Sequence, residues 1–522
     1  MSETDATPDL PASQPYPVIG ETISASLDAA VVIAASEPRI EPTRRVLFVT
    51  PEIADFVKVG GLGDVSAALP RSLRHSCDVR VLVPGYRQML HRRDEIEIVG
   101  ILPGLAGIPQ CGLGRLVLAD GLVIYVVLCD ELYDRDGTPY NDAQGGDLGD
   151  NDIRFARLSL AAADMAGGLG DADWVPDLIH ANDWPAALAP AYVRWRGIRK
   201  ASLLTVHNLA YQGVFEPHRR HVIGVPDHAF SIDGAEFYGK LSFLKAGIFY
   251  ASHVTTVSST YAQEITRPEF GCGLHGLLAD RARQGRLSGI LNGIDESWDL
   301  RKSAARPHNH CAAPANDRFN AMAWKGRNAD HVRGAFSLAL SRGPLFAIVS
   351  RLVHQKGLDL AIDAAESIVG AGGQLVATGR GEPYFENAMR DLARRHPGEV
   401  GVRIGFDDQE ARRMFAASDF LLMPSRFEPC GLSQMYAQRF GSLPIAYATG
   451  GLADTIEDGV TGFLFDKFSR DGLVSAIRRA FDTHASRRDL RRMRRVAMSR
   501  SFDWKGSAAH YLTLYRRMTA IA

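Results

Sequence analysis

The chain has few cysteines, no long apolar run and almost no net charge, and each absence excludes a class of protein. Its six cysteines are scattered over 522 residues without a CxxC pair, which argues against a disulfide scaffold and a structural zinc site and favours a reduced, cytoplasmic setting. No apolar run reaches the roughly 20 residues needed to span a bilayer. Because 59 Lys and Arg stand against 60 Asp and Glu, bulk charge predicts neither a nucleic-acid nor a membrane partner.

The length and the apolar pattern indicate two domains. A chain of 522 residues is too long for one hydrophobic core. Residues 1–43 are rich in Pro, Ser, Thr, Ala and acidic residues, and we expect them to form a disordered extension. Beyond them, short β-rich apolar runs alternate with helical stretches, which is typical of βαβ units around a parallel sheet.

A segment rich in His, Pro and Asn divides this alternation into two halves. The sequence predicts a first α/β domain at 44–295, an interdomain linker at 296–342 and a second α/β domain at 343–498. We expect the helical tail at 499–522 to pack back on the first domain. Ligands of doubly wound domains bind at the carboxyl ends of the strands, so a cleft between the domains is the expected site.

The glycine-rich stretch KVGGLGDV follows the first predicted strand. Its glycines allow backbone N–H groups to approach an anion closely, and Lys58 adds a positive charge. The stretch matches neither GxGxxG nor the P-loop. Taken alone, it fits a phosphate cradle and a plain strand-to-helix turn equally well.

Two stretches of the second half also follow predicted strands. SRLVHQKGLD contains Arg351 and Lys356, two cations suited to a diphosphate, although solvated surface cations are the slightly favoured interpretation of this stretch alone. MPSRFEPCGL contains Glu428, which is placed to receive sugar hydroxyls or to cap the following helix, expected to begin near Gly431. Cys430 is expected to be buried, since no histidine is paired with it.

Polar residues follow strands of the first half as well. HANDWPAAL contains Asp183 and Trp184, TVHNLAYQG contains His207, and LNGID contains Asn292. A histidine at a strand end is more often structural than catalytic. No metal-ligand spacing such as HExxH is present, so we expect no metal.

Seven motifs, each weak alone, together resemble signatures of bacterial glycogen synthases and the related plant starch synthases. They occur in the family's order from about residue 45 to the C-terminus: KVGGLGDV, HANDWPAALAPAY, TVHNLAYQG, LNGID, SRLVHQKGLD, MPSRFEPCGL and ATGGLADTI. The resemblance implies the GT-B fold, in which two Rossmann-like, doubly wound domains face an interdomain cleft.

The resemblance also implies a reaction: transfer of glucose from ADP-glucose to the non-reducing 4-hydroxyl of an α-1,4-glucan such as glycogen, with retained anomeric configuration. It implies no metal or other cofactor, and it leaves the oligomeric state open. Since no second carboxylate stands out as a nucleophile, we expect a front-face mechanism in which the leaving phosphate accepts the acceptor's proton.

Roles for individual residues follow only from the resemblance. The implied catalytic residues are Glu428, His207, Arg351, Lys356 and Asp183. The implied donor-binding residues are Lys58, Gly60, Gly61, Asn292, Phe406, Cys430, Gly431 and Leu432. The implied acceptor- and sugar-positioning residues are Asn208, Trp184, Tyr211 and Asp64.

Some positions depart from the family pattern. The family often has HDWHA where this chain has NDWPA, which leaves the contacts of Asn182 and Pro185 open. Phe406 replaces a tyrosine expected to stack on adenine. Two alternatives stand beside this interpretation: a UDP-glucose-dependent GT-B glycosyltransferase and a non-catalytic glucan-binding homologue. Many UDP-sugar enzymes carry a second Glu eight positions after the first, where this chain has Tyr436.

Overall fold

The structure is a computed structural model that describes residues 44–299, 321–405 and 407–521. The extension expected at 1–43, part of the expected linker, and Phe406 lie outside the described residues. Two large sheets, one mainly and one fully parallel and each covered by helices, form the two α/β domains that the sequence predicts.

The first domain contains a nine-stranded sheet and a small three-stranded one. The order of the large sheet is β12-β11-β7-β6-β1-β2-β5-β4-β3, and that of the small sheet is β8-β10-β9. The strands are β1 (Arg45–Val49), β2 (Asp78–Pro84), β3 (Glu97–Leu102), β4 (Cys111–Val117), β5 (Val123–Leu128), β6 (Leu178–Asn182), β7 (Ala201–Val206), β8 (Val214–Phe215), β9 (Glu236–Phe237), β10 (Lys240–Ser242), β11 (His253–Thr256) and β12 (Leu287–Gly289).

The large sheet is parallel from β12 to β5, and β4 and β3 extend it in antiparallel pairing. The helices around it are α1 (Gly61–Leu73), α2 (Arg87–Leu90), α3 (Asp130–Tyr133), α4 (Asn151–Ala166), α5 (Asp183–Ala186), α6 (Leu188–Trp195), α7 (Arg219–Val222), α8 (Phe243–Tyr250), α9 (Ser259–Glu264) and α10 (His275–Arg283). Helices on both faces explain the continuous apolar runs of the central strands, since neither face meets water. In β7 every residue is buried.

The second domain contains a six-stranded, fully parallel sheet in the order β15-β14-β13-β16-β17-β18. Its strands are β13 (Leu345–Val349), β14 (Gln374–Gly379), β15 (Val400–Ile404), β16 (Phe420–Met423), β17 (Leu443–Tyr447) and β18 (Phe463–Phe465). Its helices are α11 (Ala321–Ala335), α12 (Leu358–Gly370), α13 (Pro383–Arg395), α14 (Asp408–Ala417), α15 (Ser433–Arg439), α16 (Gly450–Thr455), α17 (Arg470–Ala485) and α18 (Arg487–Ser499).

Buried contacts join the two domains beside the strand ends. The hydroxyl of Ser258 donates to the carbonyl of Pro429 over 2.6 Å. The carboxylate of Glu264, at the end of α9, accepts hydrogen bonds from the Thr449 hydroxyl at 2.9 Å and the Gly450 amide at 3.1 Å. These contacts hold α9 against α16, so the carboxyl ends of the two sheets face one another.

The last helix, α19 (Trp504–Ile521), packs on the first domain although it follows the second along the chain. Trp504, Tyr511 and Tyr515 belong to the same apolar cluster as Val46 and Phe48 of β1. The final helix therefore completes the core of the first domain.

The hydroxyl of Tyr515 lies 2.7 Å from Nδ1 of His180, and both groups are buried. We expect Tyr515→Phe to lower the free energy of unfolding of the first domain by about 1–3 kcal/mol, because a buried histidine nitrogen loses its partner. A lower Tm in calorimetry checks this. As the control, Tyr384→Phe removes a hydroxyl from a side chain that is 73% exposed and should change stability by less than about 0.5 kcal/mol. Equal Tm shifts for the two variants would contradict a stabilising hydrogen bond between Tyr515 and His180.

Candidate functional site

A cleft of about 1880 Å³ lies between the carboxyl ends of the two sheets. It is the expected place for a ligand of two doubly wound domains. Every predicted site residue except Phe406, which is not among the described residues, lines this cleft: Lys58, Gly60, Gly61, Asp64, Asp183, Trp184, His207, Asn208, Tyr211, Asn292, Arg351, Lys356, Glu428, Cys430, Gly431 and Leu432. Residues almost 400 positions apart thus contribute to one site, while the role of each stays a prediction.

The glycine-rich loop is held by a carboxylate that sequence analysis missed. Oε2 of Glu52, just after β1, accepts hydrogen bonds from the amides of Val59 at 2.5 Å and Gly60 at 3.3 Å. Burial is the largest influence on Glu52 and raises the pKa of its carboxyl. Contrary to the expectation for a phosphate cradle, the Gly60 amide is occupied by the protein itself. Glu52 could have been found as one more polar residue after a buried strand.

Lys58 on the same loop is partly exposed, and its Nζ lies 2.8 Å from Oδ1 of Asp64. Burial raises the pKa of Asp64, although the bond to Lys58 opposes this. The ion pair holds the ammonium at the cleft surface. An anionic ligand can compete for this ammonium because exposed ion pairs contribute little stability.

On the opposite wall, the side chain of Glu428 is only 7% exposed. Its Oε2 accepts hydrogen bonds from Nζ of Lys356 at 2.6 Å and from the hydroxyl of Ser425 at 2.9 Å. Within the described part of the chain, Oε1 of Glu428 has no hydrogen-bond partner. A buried carboxylate with one satisfied and one available oxygen is suited to accept from a hydroxyl group.

Arg351 is exposed at the edge of this wall. Its guanidinium reaches Oε1 of Gln355 at 3.4 Å and forms no ion pair with the described residues. Gln355 in turn donates to the carbonyl of Phe427 at 3.1 Å. Arg351 therefore keeps its positive charge available for a ligand in the cleft.

Two glycines explain how the loops of this wall come so close together. Gly357 has φ of +64°, and a Cβ there would lie 1.9 Å from the carbonyl oxygen of Pro424. Gly450 has φ of +45°, and a Cβ would lie 2.0 Å from the carbonyl oxygen of Glu428. A side chain at either place would be strained and would clash. These positions allow the backbones beside Lys356 and Glu428 to pack directly.

The turn before α15 differs slightly from the expected one. The helix begins at Ser433, and Leu432 is its N-cap residue, whereas the sequence predicts a start near Gly431. Burial raises the pKa of the Cys430 thiol to about 12. The thiol is therefore protonated at neutral pH, which excludes a ready thiolate nucleophile and agrees with the predicted buried position.

The first-domain wall is built on Asp183 and His207. Oδ1 of Asp183 accepts from the amides of His207 at 2.8 Å and Asn208 at 3.4 Å. Nε2 of His207 lies 3.0 Å from Oδ1 of Asn182, whose amide group donates to the carbonyl of Val49. Because Asn182 thus offers an acceptor, His207 carries its proton on Nε2, and Nδ1 is the acceptor of the ring.

Burial determines the protonation states of His207 and Asp183. It lowers the pKa of His207 to about 3 and raises the pKa of Asp183 to about 7, because both charged forms are poorly solvated in this wall. His207 is therefore neutral at physiological pH, whereas Asp183 is poised between its two forms.

The raised pKa of Asp183 predicts a pH-dependent stability. Its carboxyl group titrates near 4 when unfolded and near 7 when folded. The stability from holding the proton is present below about pH 4 and is lost as the pH rises toward 7. Asp183→Asn keeps an acceptor oxygen but does not titrate. We therefore expect the Tm of this variant to rise relative to that of the unmodified protein as the pH increases from 5 to 8. A Tm difference constant over this range, measured by calorimetry, would contradict the raised pKa.

Two further cleft residues, Trp298 and Arg412, were missed in the sequence. Tyr436, at the position of the second Glu of the related UDP-sugar enzymes, stacks on Trp298 with ring centroids 3.7 Å apart and planes at 15°. The guanidinium of Arg412 lies 3.8 Å from the centroid of the Trp298 ring. Trp298 lies in the segment predicted as linker, so no strand-end signal marked it. These contacts make Tyr436 part of the packed cleft wall.

Asn292 supplies an unsatisfied polar group. Its Oδ1 is buried and has no hydrogen-bond partner among the described residues. Such an atom costs stability unless a ligand or water pairs with it.

Among the described residues, no group of three or more His, Cys, Asp or Glu could hold a metal ion. None of the helices in the described part of the chain has both the length and the apolarity to cross a membrane.

Two facing Rossmann-like domains with one cleft between their carboxyl strand ends define the GT-B glycosyltransferase fold. The comparisons give the same class. The profile of the starch synthase catalytic domain matches residues 45–280, and that of glycosyl transferases group 1 matches residues 336–496. The catalytic domain of starch synthase IV from Arabidopsis thaliana, bound to ADP and acarbose, is a similar solved structure, with a TM-score of 0.77 and 29% identity over 92% of this chain and 100% of that one.

Relatives narrow the class to one family. A glycogen synthase of Pseudomonas fluorescens is 59% identical over 93% of this chain and 92% of its own length. Glycogen synthase 1 of Bradyrhizobium diazoefficiens is 58% identical over 90% of this chain and 100% of its own length. The chain belongs to the glycogen synthase family, and the predicted family and fold are confirmed.

Proposed function

We propose that the chain transfers glucose from ADP-glucose to the non-reducing 4-hydroxyl of an α-1,4-glucan, with retention of the anomeric configuration. The observation that carries this proposal is the pairing across one cleft of Lys356, Glu428 and Arg351 with His207 and Asp183. The former group suits a diphosphate and a sugar, and the latter suits sugar hydroxyls. The Arabidopsis starch synthase, solved with ADP and acarbose, supports both ligand classes.

In this proposal the diphosphate binds the cationic edge of the second-domain wall. Arg351 offers a free guanidinium fork, and the ammonium of Lys356 has two hydrogens beyond the one it gives to Glu428. Charge-assisted bonds to the phosphate oxygens strengthen as the glucosyl bond breaks and negative charge moves onto the leaving group. Lys58 adds a third cation from the first-domain loop once it exchanges Asp64 for phosphate.

The glucosyl group lies between Glu428 and His207. Oε1 of Glu428 accepts from a sugar hydroxyl, and the carboxylate charge favours the positive charge that develops at the anomeric carbon. Nδ1 of neutral His207 accepts another hydroxyl, and the orphan Oδ1 of Asn292 accepts a third. Acceptors on opposite walls thus fix the orientation of one ring.

The acceptor glucan enters along the first-domain wall. Tyr211 is 51% exposed in the cleft and offers a ring for a sugar face, while Trp184 is packed among Phe155, Phe215 and Phe243 and supports that wall. Asn208 and Asp64 add polar contacts.

The leaving phosphate takes the proton of the attacking hydroxyl, so the proposal needs no metal or other cofactor. We place this activity in the cytoplasm, where the free cysteines found in the described residues stay reduced.

The donor base is the first feature to test. We expect ADP release from ADP-glucose with glycogen as acceptor to exceed UDP release from UDP-glucose by at least tenfold in kcat/KM, a discrimination of about 1.4 kcal/mol. A coupled assay of both products on the same preparation measures this. Faster UDP release would favour the UDP-glucose alternative, whereas no release from either donor, together with retained glycogen binding, would favour the non-catalytic homologue.

A further inference from the structure

A second cavity, of about 540 Å³, lies at the other end of the first sheet. Its walls include the C-terminal ends of α6, α8 and α10, just before β7, β11 and β12 begin. These parallel strands run from this edge toward the cleft, and the two cavities share no lining residue. A ligand in this cavity leaves the cleft free.

The cavity is lined by unpaired positive charge. Arg194, Arg281 and Arg286 line it, and none of them forms an ion pair within the part of the chain that the structure describes. The guanidinium of Arg281 donates to the carbonyl of Phe249, and Nε of Arg286 donates to the carbonyl of Ser252 at 2.9 Å. These bonds orient two guanidinium groups without neutralising them.

The single acidic residue of the lining does not balance this charge. Asp280 faces three arginines, and its carboxylate is already bonded to Gln284 at 2.6 Å and to Arg283, outside the lining, at 3.2 Å. The cavity therefore attracts an anion.

Two buried donors in the lining lack acceptors. Arg281 is 6% exposed, and its Nε is buried without a hydrogen-bond partner among the described residues, as is Nε1 of Trp195. Burial and the charge of Arg286 lower the pKa of Arg281. A buried N–H without an acceptor is destabilising, and such groups are rare unless a ligand, ion or water completes them. Both N–H groups are donors to which a ligand in the cavity can supply an acceptor.

The remaining walls are aromatic. Trp195 and Tyr250 meet edge to face, with centroids 5.4 Å apart and planes at 78°, and Phe249 lines the cavity beside them. The volume falls in the range of small-molecule sites, about 300–1,000 Å³, and exceeds what a bare phosphate or chloride fills. The cavity thus offers aromatic walls that suit a ring beside cations that suit a negative charge.

We propose that this cavity binds a small phosphomonoester carried on a ring, with its phosphate against Arg281 and Arg286 and its ring against Trp195 and Tyr250. Guanidinium forks match the geometry of phosphate oxygens and bind them through paired hydrogen bonds. An aromatic phosphate and a sugar phosphate share this chemistry. The site is separate from the glucosyl-transfer cleft and does not depend on the function proposed for it.

Isothermal titration tests the proposal with four probes: phenyl phosphate, ribose 5-phosphate, inorganic phosphate and phenol. We expect one of the two esters to bind the unmodified protein. Inorganic phosphate and phenol should each bind more weakly than that ester. The preferred ester distinguishes an aromatic from a sugar ring. Arg286→Gln should weaken that ester at least about tenfold, the loss of one charge-assisted bond. Arg286 lies outside the cleft, so the variant should keep the glucosyl-transfer rate, which also shows that it is folded.

Two control variants separate this site from other anion sites. Arg199→Gln removes an exposed arginine outside the lining, and Arg351→Ala removes a cation of the cleft; both should bind the ester like the unmodified protein. If Arg286→Gln does not fold, Arg194→Gln at an exposed position takes its place with the same expected direction. Loss of binding in Arg351→Ala but not in the cavity variants, equal weakening in Arg199→Gln, or no binding of either ester at millimolar concentration would overturn the proposal.

Discussion

Glu428→Gln should lower kcat for glucosyl transfer by about 10²–10³-fold, the usual cost of removing one preorganised group that stabilises transition-state charge. The variant keeps the shape of a side chain that is 7% exposed but loses the negative charge. It also leaves Lys356, which bonds this carboxylate at 2.6 Å, without its ionic partner. Both changes act where the glucosyl bond breaks, so the effect falls mainly on kcat. Initial rates with ADP-glucose and glycogen measure it.

The matched control for this experiment is Glu457→Gln. Glu457 lies in the same domain and also forms an ion pair, with Arg500, but on an exposed surface. We expect it to keep the full rate. A rate for Glu428→Gln within a few fold of the control would contradict the proposed role of this carboxylate.

Arg351→Ala should lower kcat/KM for ADP-glucose by about 10²–10³-fold without lowering Tm. The side chain is exposed and makes only a 3.4 Å contact with Gln355, so its removal breaks little of the native structure. Its guanidinium is available for the diphosphate, whose charge grows in the transition state. The measurement pairs donor kinetics with a thermal melt of the same preparation.

Arg426→Ala is the matched control, for which we expect a loss of stability without a large loss of activity. Arg426 is near Arg351 in the same domain, but both of its terminal nitrogens bond the carboxylate of Asp359, at 2.8 and 2.6 Å, and it does not line the cleft. Its loss should cost stability of about 1 kcal/mol or less and little activity. If Arg351→Ala destabilises the protein as Arg426→Ala does and keeps its rate, Arg351 has a structural role only.

The sequence was sufficient for most of the parallel architecture. LFAIV consists entirely of buried apolar residues, as does RVLFV after its leading arginine, and helices follow such runs at regular intervals. The antiparallel strands β3 and β4 were harder to predict from the sequence, because β3 is half exposed and contains a glycine. Its place at the sheet edge depends on pairing with β4 and not on its own pattern.

The site was predictable where chemistry follows a strand directly, as with His207 and Arg351. Contacts that depend on how separate loops meet were not. Glu52 occupies the Gly60 amide although eight residues separate them, and Asn182 sets the tautomer of His207 from a neighbouring strand. Such pairings are set by the three-dimensional approach of loops, which local spacing does not encode.

The return of α19 to the first domain has a consequence for how the chain matures. During synthesis the first domain leaves the ribosome long before Tyr511 and Tyr515 exist, so the face of β1 that they cover is unprotected while the second domain is made. Domains usually fold in order as they emerge, but here the first to emerge is the last to be finished. A chain interrupted before Trp504 would therefore leave the apolar residues of β1 that α19 covers exposed to solvent.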